Sequence, residues 1–446
     1  MTGTAKRFEN LKMKTSVIFF ISFLALCTLT CKKNPVAPPN GSLTNPLQIT
    51  VQSVTCTEAF LRLSLATTAT QRTVTLKRGD SLIVKMTMMG SDSSFIDAGL
   101  SPNKTYTYTL LTGNWSVNAQ ETTLDTTSHN WAWQVDTFGL TNSYLYDIAI
   151  VNDTLAYAVG EIYIKDSLGN FDQNAYNVLK WNGKSWQLTK VMFPLCDENG
   201  NDQHEGSYPA KGIFAFSAND IWISCVGSLV HWDGKNFQPL CMSLGYGQRS
   251  LGKMWGVDGQ LYLTGTNGFF ARNNGSWQQI QTNLTTEIHD VWGGSNSAVG
   301  NNVVLAPMCN KYYFGDARLL KLSSSGTLDS IQWGMQLYPP YSAWFTSTSQ
   351  VYVCGGGIFR LQNGSWVSMT NGLPSIFLNR VRGNADNDFF VVGDFGVVAH
   401  YNGVSWQVFN QLQLPNGNYE SVAVKNNLAI AAGWYNGQAY IAVGRR

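Results

Sequence analysis

The sequence predicts an all-β protein, and three observations carry that prediction. Charged residues make up 13% of the 446-residue chain, about half the usual share, while aromatics make up another 13% and there are 42 glycines. Strands rich in Val, Ile, Tyr and Trp, joined by tight turns, produce that balance. Apolar residues come in short alternating runs and nowhere follow a 3.6-residue period. Finally, one hairpin recurs: "LKWNGKSWQ" (179–187), "LVHWDGKNFQ" (229–238), "ARNNGSWQQ" (271–279), "RLQNGSWVS" (360–368) and "AHYNGVSWQ" (399–407). Asn-Gly and Asp-Gly are hairpin turn signals, and the flanking aromatics mark paired strands. The length is too great for one ordinary core, so two or three units are expected.

The first element is a targeting segment. Lys6, Arg7, Lys12 and Lys14 precede an apolar run, "SVIFFISFLALCTL" (16–29), which is shorter than a membrane span. Met13 is an alternative start. The run leads into "TLTCKKNPVAPPN" (28–40), which resembles a bacterial lipoprotein signal, whose cysteine becomes diacylated and N-terminal. The resemblance implies lipidation at Cys31, which Lys32 and Lys33 follow directly; Cys27, preceded by "LAL", is the alternative. Thr28 and Thr30 stand where such signals carry Leu and Gly or Ala. Residues 1–31 are thus read as the signal and 32–44, rich in Pro and Asn, as a tether. The expected location is the bacterial cell envelope, exported and lipid-anchored, facing the periplasm or the surface.

Residues 45–126 carry short alternating strands such as "LQITVQSV", "AFLRLSL" and "TYTYTLL". The piece "AGLSPNKTYTYTL" (98–110) resembles fibronectin type III, in which a Leu, a Pro-containing turn and a Tyr six places after the Leu form a corner. Here these are Leu100, Pro102 and Tyr106; the family's strand-B Trp is absent, with Leu61 and Leu63 nearby. The resemblance implies a sandwich acting as a spacer.

Residues 127–446 repeat at about 35 to 55 residues. Each outer hairpin ends in an aromatic-Gln pair or a variant of it. Upstream stands a second strand, mostly closing on Gly: "LAYAVG" (155–160), "IWISCVG" (221–227), "LYLTG" (261–265), "VYVCG" (351–355), "FFVVG" (389–393) and "LAIAAG" (428–433). Inner strands start near Asp147, Ile213, Lys253, Ile288, Ala343, Arg380 and Ser421. Such a period of short strands predicts a seven-bladed β-propeller. The last unit stops after three strands, and "NWAWQVDTFG" (130–139) supplies its outer strand, which closes the ring and removes an exposed edge. The repeat resembles bacterial propellers of the "W-G … AVG … NG-x-W" kind, exported proteins without an assigned activity.

Chemistry is harder to find. No G-x-S-x-G, H-E-x-x-H, P-loop or G-x-G-x-x-G occurs, so no catalytic residue, cofactor or metal ligand is assigned. A net charge of +2 without a basic run in the mature part gives no nucleic-acid footprint. His231 and His400 occupy the same place in two blades and are read as framework, and His289 as a structural partner of Asp290. Sialidases share G-x-x-W with the hairpins, but their Arg cluster has no counterpart among the scattered Arg249, Arg272, Arg318, Arg360, Arg380 and Arg382. Cys225 and Cys354 lie in second strands and are read as core. Six cysteines remain in the mature part and allow 15 pairings, among which sequence does not choose; Cys196 and Cys241, which follow the outer strands of consecutive blades on one face, are a candidate pair. Insertions at 161–177, 196–212 and 309–316 emerge on one face. They bring Tyr163, Phe171, Tyr176, Asp197, Asp202, His204, Tyr208, Tyr312, Tyr313 and Phe314 together as the expected ligand face, suited to sugar rings or protein hot spots. The expected function is non-enzymatic binding or scaffolding by a monomer, with an unknown protein or glycan of the envelope as partner and the lipid as the only membrane contact. The alternatives are a carbohydrate-active enzyme of sialidase-like architecture and an assembly factor for a membrane complex, like the photosystem-assembly propellers, whose Arg-rich patch is not evident.

Overall fold

A computed structural model describes residues 45–446 apart from 67–70, 89–91, 171, 173, 198–200, 243–250, 266–267, 283–285, 297, 310–316, 324–325, 336–337 and 349. Cys27 and Cys31 therefore lie outside the described residues, as do Phe171, Tyr312, Tyr313 and Phe314; the side chain of Asp202 does too.

The chain from 47 to 122 forms two antiparallel sheets. One orders Leu47–Val54, Glu58–Leu65 and Ser93–Ala98; the other orders Ser81–Met88, Arg72–Arg78, Thr105–Thr112 and Trp115–Thr122. Alternation puts Leu61, Leu63, Val74, Leu76, Tyr108 and Leu110 between the sheets. The Tyr108 hydroxyl, buried with them, donates to Asp97, 2.8 Å away. Tyr106 accepts a hydrogen bond from the Ser101 N–H at 2.9 Å, so its hydroxyl ties the strand to the turn before it.

From 132 onward the described residues form a β-propeller of seven four-stranded antiparallel sheets. The inner strands are Tyr144–Asn152, Ala210–Ser217, Leu251–Val257, Trp292–Asn296, Pro340–Phe345, Leu378–Ala385 and Gly417–Lys425. Ala132–Phe138 pairs with Gln438–Arg445 as the outer strand of the last blade, as the repeat predicts. Each blade buries both faces against its neighbours, so its second strand is mostly apolar: Asp388–Gly393 is buried at every residue.

The recurring hairpin has two forms. In 274–275 and 363–364 both Asn and Gly have positive φ, a turn whose twist matches the strands. In 182–185 only the Gly does, and the Asn182 side chain accepts bonds from the N–H groups of Lys184 and Ser185. The following Trp reaches backwards: Trp366 Nε1 donates to the Gln332 carbonyl and Trp406 Nε1 to that of Met369, each on the preceding blade.

The sandwich packs against the propeller. It sits against turns of the fifth and sixth blades, where Arg360 grips Glu58 through two nitrogens at 2.6 and 3.0 Å, both side chains mostly buried. Cys56 is fully buried beside Gly403, and Asn387 Nδ2 donates to the Asp125 carbonyl at 2.7 Å. A spacer built as a flexible link would leave these groups in water.

Candidate functional site

Every inner strand carries one extra residue relative to its neighbour, a β-bulge at the same place in each blade. Tyr146, Lys211, Tyr341, Asn379 and Glu420 are the unpaired residues in five of them, and Gly252–Lys253 and 289–291 hold the extra residue in the other two. A bulge turns two successive side chains to one side, here the channel along the propeller axis. It also brings the backbone close to the second strand. A Cβ on Gly160, Gly355, Gly393 or Gly433 would lie 1.9–2.1 Å from a carbonyl oxygen of the facing strand, which is why those strands close on glycine. In the second blade this register position is Cys225, not the Gly227 of "IWISCVG".

The second residue of each bulge builds a plug. Asp147 accepts bonds from Arg380 (3.1 Å), Ser421 (2.9 Å) and the Ile213 N–H (3.2 Å), and pairs with Lys253 at 3.1 Å. Asp290 accepts from Ser342 (2.6 Å), the Ala343 N–H (3.2 Å) and both terminal nitrogens of Arg382 (2.9 and 2.6 Å), and is also bonded to Arg380. All seven blades contribute. The charges are almost wholly buried, so each must be satisfied by another. Burial alone would raise the Asp290 pKa; the Arg380 and Arg382 guanidiniums outweigh it and hold the carboxyl at about 2. Burial, with Arg380 beside it, pushes the Lys253 ammonium down to about 8 despite Asp147.

The plug separates two cavities. The lower, roughly 160 Å³, is walled by Phe214, Trp255, Trp292 and small residues such as Ala149 and Ala423. The upper, roughly 270 Å³, is lined by the first bulge residue of each blade: Tyr146, Lys211, Gly252, His289, Tyr341, Asn379 and Glu420, with Glu287 at its edge. Aromatic contacts frame it. His289 stacks on Tyr341 at 4.1 Å, Tyr341 meets Phe377 edge-on, and Tyr144 bridges Tyr146 to Trp434. Lys211 lies over the Tyr146 ring, 3.6 Å from its centroid, and 4.0 Å from Glu161. Glu161 also takes the Tyr146 and Tyr163 hydroxyls, the latter at 2.9 Å. Glu287 and Glu420 make no hydrogen bond or ion pair among the described residues.

Of the described members of the predicted ligand face, Tyr163 reaches this mouth, through Glu161. Tyr176 lies under the Lys190 ammonium and packs on the core. Asp197 caps its own loop by accepting the Asn201 N–H at 2.8 Å. His204 and Tyr208 bond each other at 2.9 Å, and the Tyr208 carbonyl is held by Asn177. The insertion there folds as a hairpin of Phe193–Cys196 and Asp202–Gly206, and a Cys196–Cys241 disulfide ties it to the second blade. Among the described residues, then, Asp197, His204 and Tyr208 bond within their own loop.

The histidines divide. His231 bonds Asp220 at 2.7 Å and His400 bonds Asp388 at 2.9 Å, the same third-to-second-strand pair in two blades. His289 does not serve as the partner of Asp290: its Nε2 bonds the Cys309 carbonyl at 2.7 Å and its ring lines the mouth. Cys225, Cys309 and Cys354 are buried thiols, and burial pushes the Cys225 pKa up to about 11. Arg380 and Arg382, which look scattered in sequence, converge on the axis. Asp147 and Asp290 both pair with Arg380, whose guanidinium fills the space between them that a water or sugar oxygen needs. Among the described residues no group of three His, Cys, Asp or Glu is placed to hold a metal.

Sequence reasoning missed the mouth, whose trace in the repeat shows only once the bulge is known. Aligned on the bulge, the inner strands read Tyr146-Asp147, Lys211-Gly212, Gly252-Lys253, His289-Asp290, Tyr341-Ser342, Asn379-Arg380 and Glu420-Ser421: a mostly polar pair opening each otherwise apolar strand.

No family model and no curated protein matches the chain. Solved propellers do. The structure of YCF48 bound to D1 peptide aligns with a TM-score of 0.51 and 14% identity over 70% of this chain and 97% of that one. The WD40 β-propeller domain of Doa1 aligns at 0.50, also with 14% identity, over 70% and 97%. A virginiamycin B lyase from Staphylococcus aureus reaches 0.49 with 8% identity over 71% and 100%. At such identities the likeness establishes the fold alone.

Proposed function

We propose that this protein is a non-enzymatic β-propeller of the bacterial envelope that binds a polypeptide at its upper mouth. The observation that carries the reading is the ring of first bulge residues: seven blades spend their bulges on a cavity of roughly 270 Å³ walled by Tyr146, His289 and Tyr341 and floored by the ionic plug. Flat aromatic faces beside amides and carboxylates suit a peptide chain, which offers both apolar side chains and hydrogen-bonding groups. The complex of YCF48 with a D1 peptide supports the same use of a propeller of this shape. An acid–base reaction on the axis is disfavoured because both axial carboxylates are committed to Arg380, Arg382 and Lys253.

Selection from a displayed library of random linear peptides on the full chain tests this reading. Enriched peptides should lose about 1–2 kcal/mol of affinity on Tyr341→Ala, with folding intact. A library that yields no binder, alongside a glycan array that does, would replace the peptide with a sugar. Export with a lipid at Cys31 is part of the proposal, supported by the basic and apolar leader and the tether. Cys31→Ala should then move the protein from the membrane fraction to the soluble one; unchanged fractionation argues for another anchor or none.

A further inference from the structure

Nine non-glycine residues among those described have positive φ; seven are Asn, one is Asp and one is Phe395, at +56°. Asn and Asp visit this region at little cost, whereas a bulky aromatic is an outlier there. The turn leaves Phe395 no alternative. Its N–H donates to the Asn418 side chain at 3.3 Å and its carbonyl accepts the Leu414 N–H at 3.0 Å. The next residue, Gly396, has no room for a side chain, since a Cβ would lie 2.2 Å from the Leu414 nitrogen. Despite this strain the side chain stays largely in solvent: Phe395 is 60% exposed. The turn's backbone bonds do not require an aromatic there, so a strained and exposed ring points to use outside the chain.

The place is informative. Asp394 accepts from Asn379, which lines the mouth, and Asn418 lies two residues before Glu420, which also lines it. Phe395 thus stands at the edge of the mouth, on the face formed by the second-to-third and outer-to-inner connections. Leu168, Met192, Leu195, Val226 and Tyr338 are exposed on that same face, whereas the opposite turns expose Val257 and Val404. The charges left uncompensated at the mouth are the carboxylates of Glu287 and Glu420.

We infer that Phe395 is an apolar anchor for a basic polypeptide segment, whose aliphatic side chain packs on the ring while a neighbouring Lys or Arg enters the mouth towards Glu420 and Glu287. The inference rests on the peptide-binding reading and narrows it. Carboxylates at the rim complement a cation and oppose an anionic partner, and exposed apolar side chains around a desolvated pocket are how protein hot spots are built. A bilayer would take the same apolar side chains, but the carboxylates repel anionic headgroups.

The probe is the same displayed library of random linear peptides, followed by binding of the enriched peptides to the full chain. Expected are peptides with Lys or Arg beside Leu, Ile or Val, binding that weakens with salt, and at least about a tenfold loss on Phe395→Asn. Because Asn fits the left-handed turn, the same variant should melt higher than the parent, which a packing residue would not do. Replacing Glu287 and Glu420 together by Gln should weaken the basic peptides and leave their Lys→Gln versions unaffected. Enriched peptides without basic residues, or binding indifferent to Phe395→Asn, overturn the inference and leave the peptide reading standing. A Phe395→Asn protein that melts lower also overturns it, as does Phe395-dependent sedimentation with phosphatidylcholine vesicles, which would mark a lipid surface. If no peptide binds the parent, the peptide reading falls and this inference with it.

Discussion

Asp290 reaches the propeller axis with no exposed surface, and its neighbours decide its energetic value. Burying a lone carboxylate costs several kcal/mol, whereas here two guanidiniums, a hydroxyl and a backbone N–H surround it. Its pKa of about 2 lies below that of an unfolded Asp, so its contribution is fully present above about pH 4. It disappears as pH falls from about 4 to 2, a loss of about 2 kcal/mol at one pKa unit per 1.36 kcal/mol. Asp290→Asn should cost about 3–5 kcal/mol at neutral pH, because Arg382 keeps its charge without a carboxylate and Arg380 keeps only Asp147. The variant should also lack that share of the acid sensitivity. Urea melts of both proteins at pH 7, 4 and 2 measure this; an equal loss between pH 4 and 2 in parent and variant would contradict it. None of this was legible from Arg380 and Arg382 alone. Their partners lie 90 or more positions away in the chain, and the alignment that joins them runs through the bulge. Cys196 and Cys241 were legible, because each follows the outer strand of its blade and the repeat brings those strand ends side by side.

At the scale of elements, the period-2 pattern and the Asn-Gly turns were enough to name the hairpins, and backbone closeness explains the glycines that end the second strands. The bulges were not legible. One extra residue in a strand leaves hydrophobic alternation intact on either side, so Tyr146-Asp147 reads as a polar start to an apolar strand. Its signature is indirect: Gly160, Gly355, Gly393 and Gly433 stand where a carbonyl of the bulged strand comes too near for any side chain. In the described parts of the insertions, polar groups pair locally. Aromatics beside Asp and His look like a site in sequence, yet His204 and Tyr208 satisfy each other, and Asp197 satisfies its own loop. Long connections must bury and pair their own groups before they can offer any to a ligand. Phe395 falls between these cases. Its turn reads Asp-Phe-Gly, and only the sign of φ separates Phe395 from an ordinary surface aromatic.

At the scale of the molecule, closure of the ring was readable, because the last unit lacks an outer strand and Trp133-Gln134 repeats the pattern of Trp406-Gln407. Docking of the sandwich was not, since a single Glu58–Arg360 pair and a buried Cys56 leave no periodic trace. The sandwich meets the turns around Asn387 and Asn402, on the face opposite the mouth. The central claim is that this mouth is where the protein binds. Hydrogen exchange with and without a selected peptide tests it most directly, because it reports protection strand by strand. The account predicts slowed exchange at the bulges around Tyr341, Asn379 and Glu420 and in the turn that holds Phe395. Protection confined to the turns around Asp258 and Asn402, or to the outer strands, would contradict it.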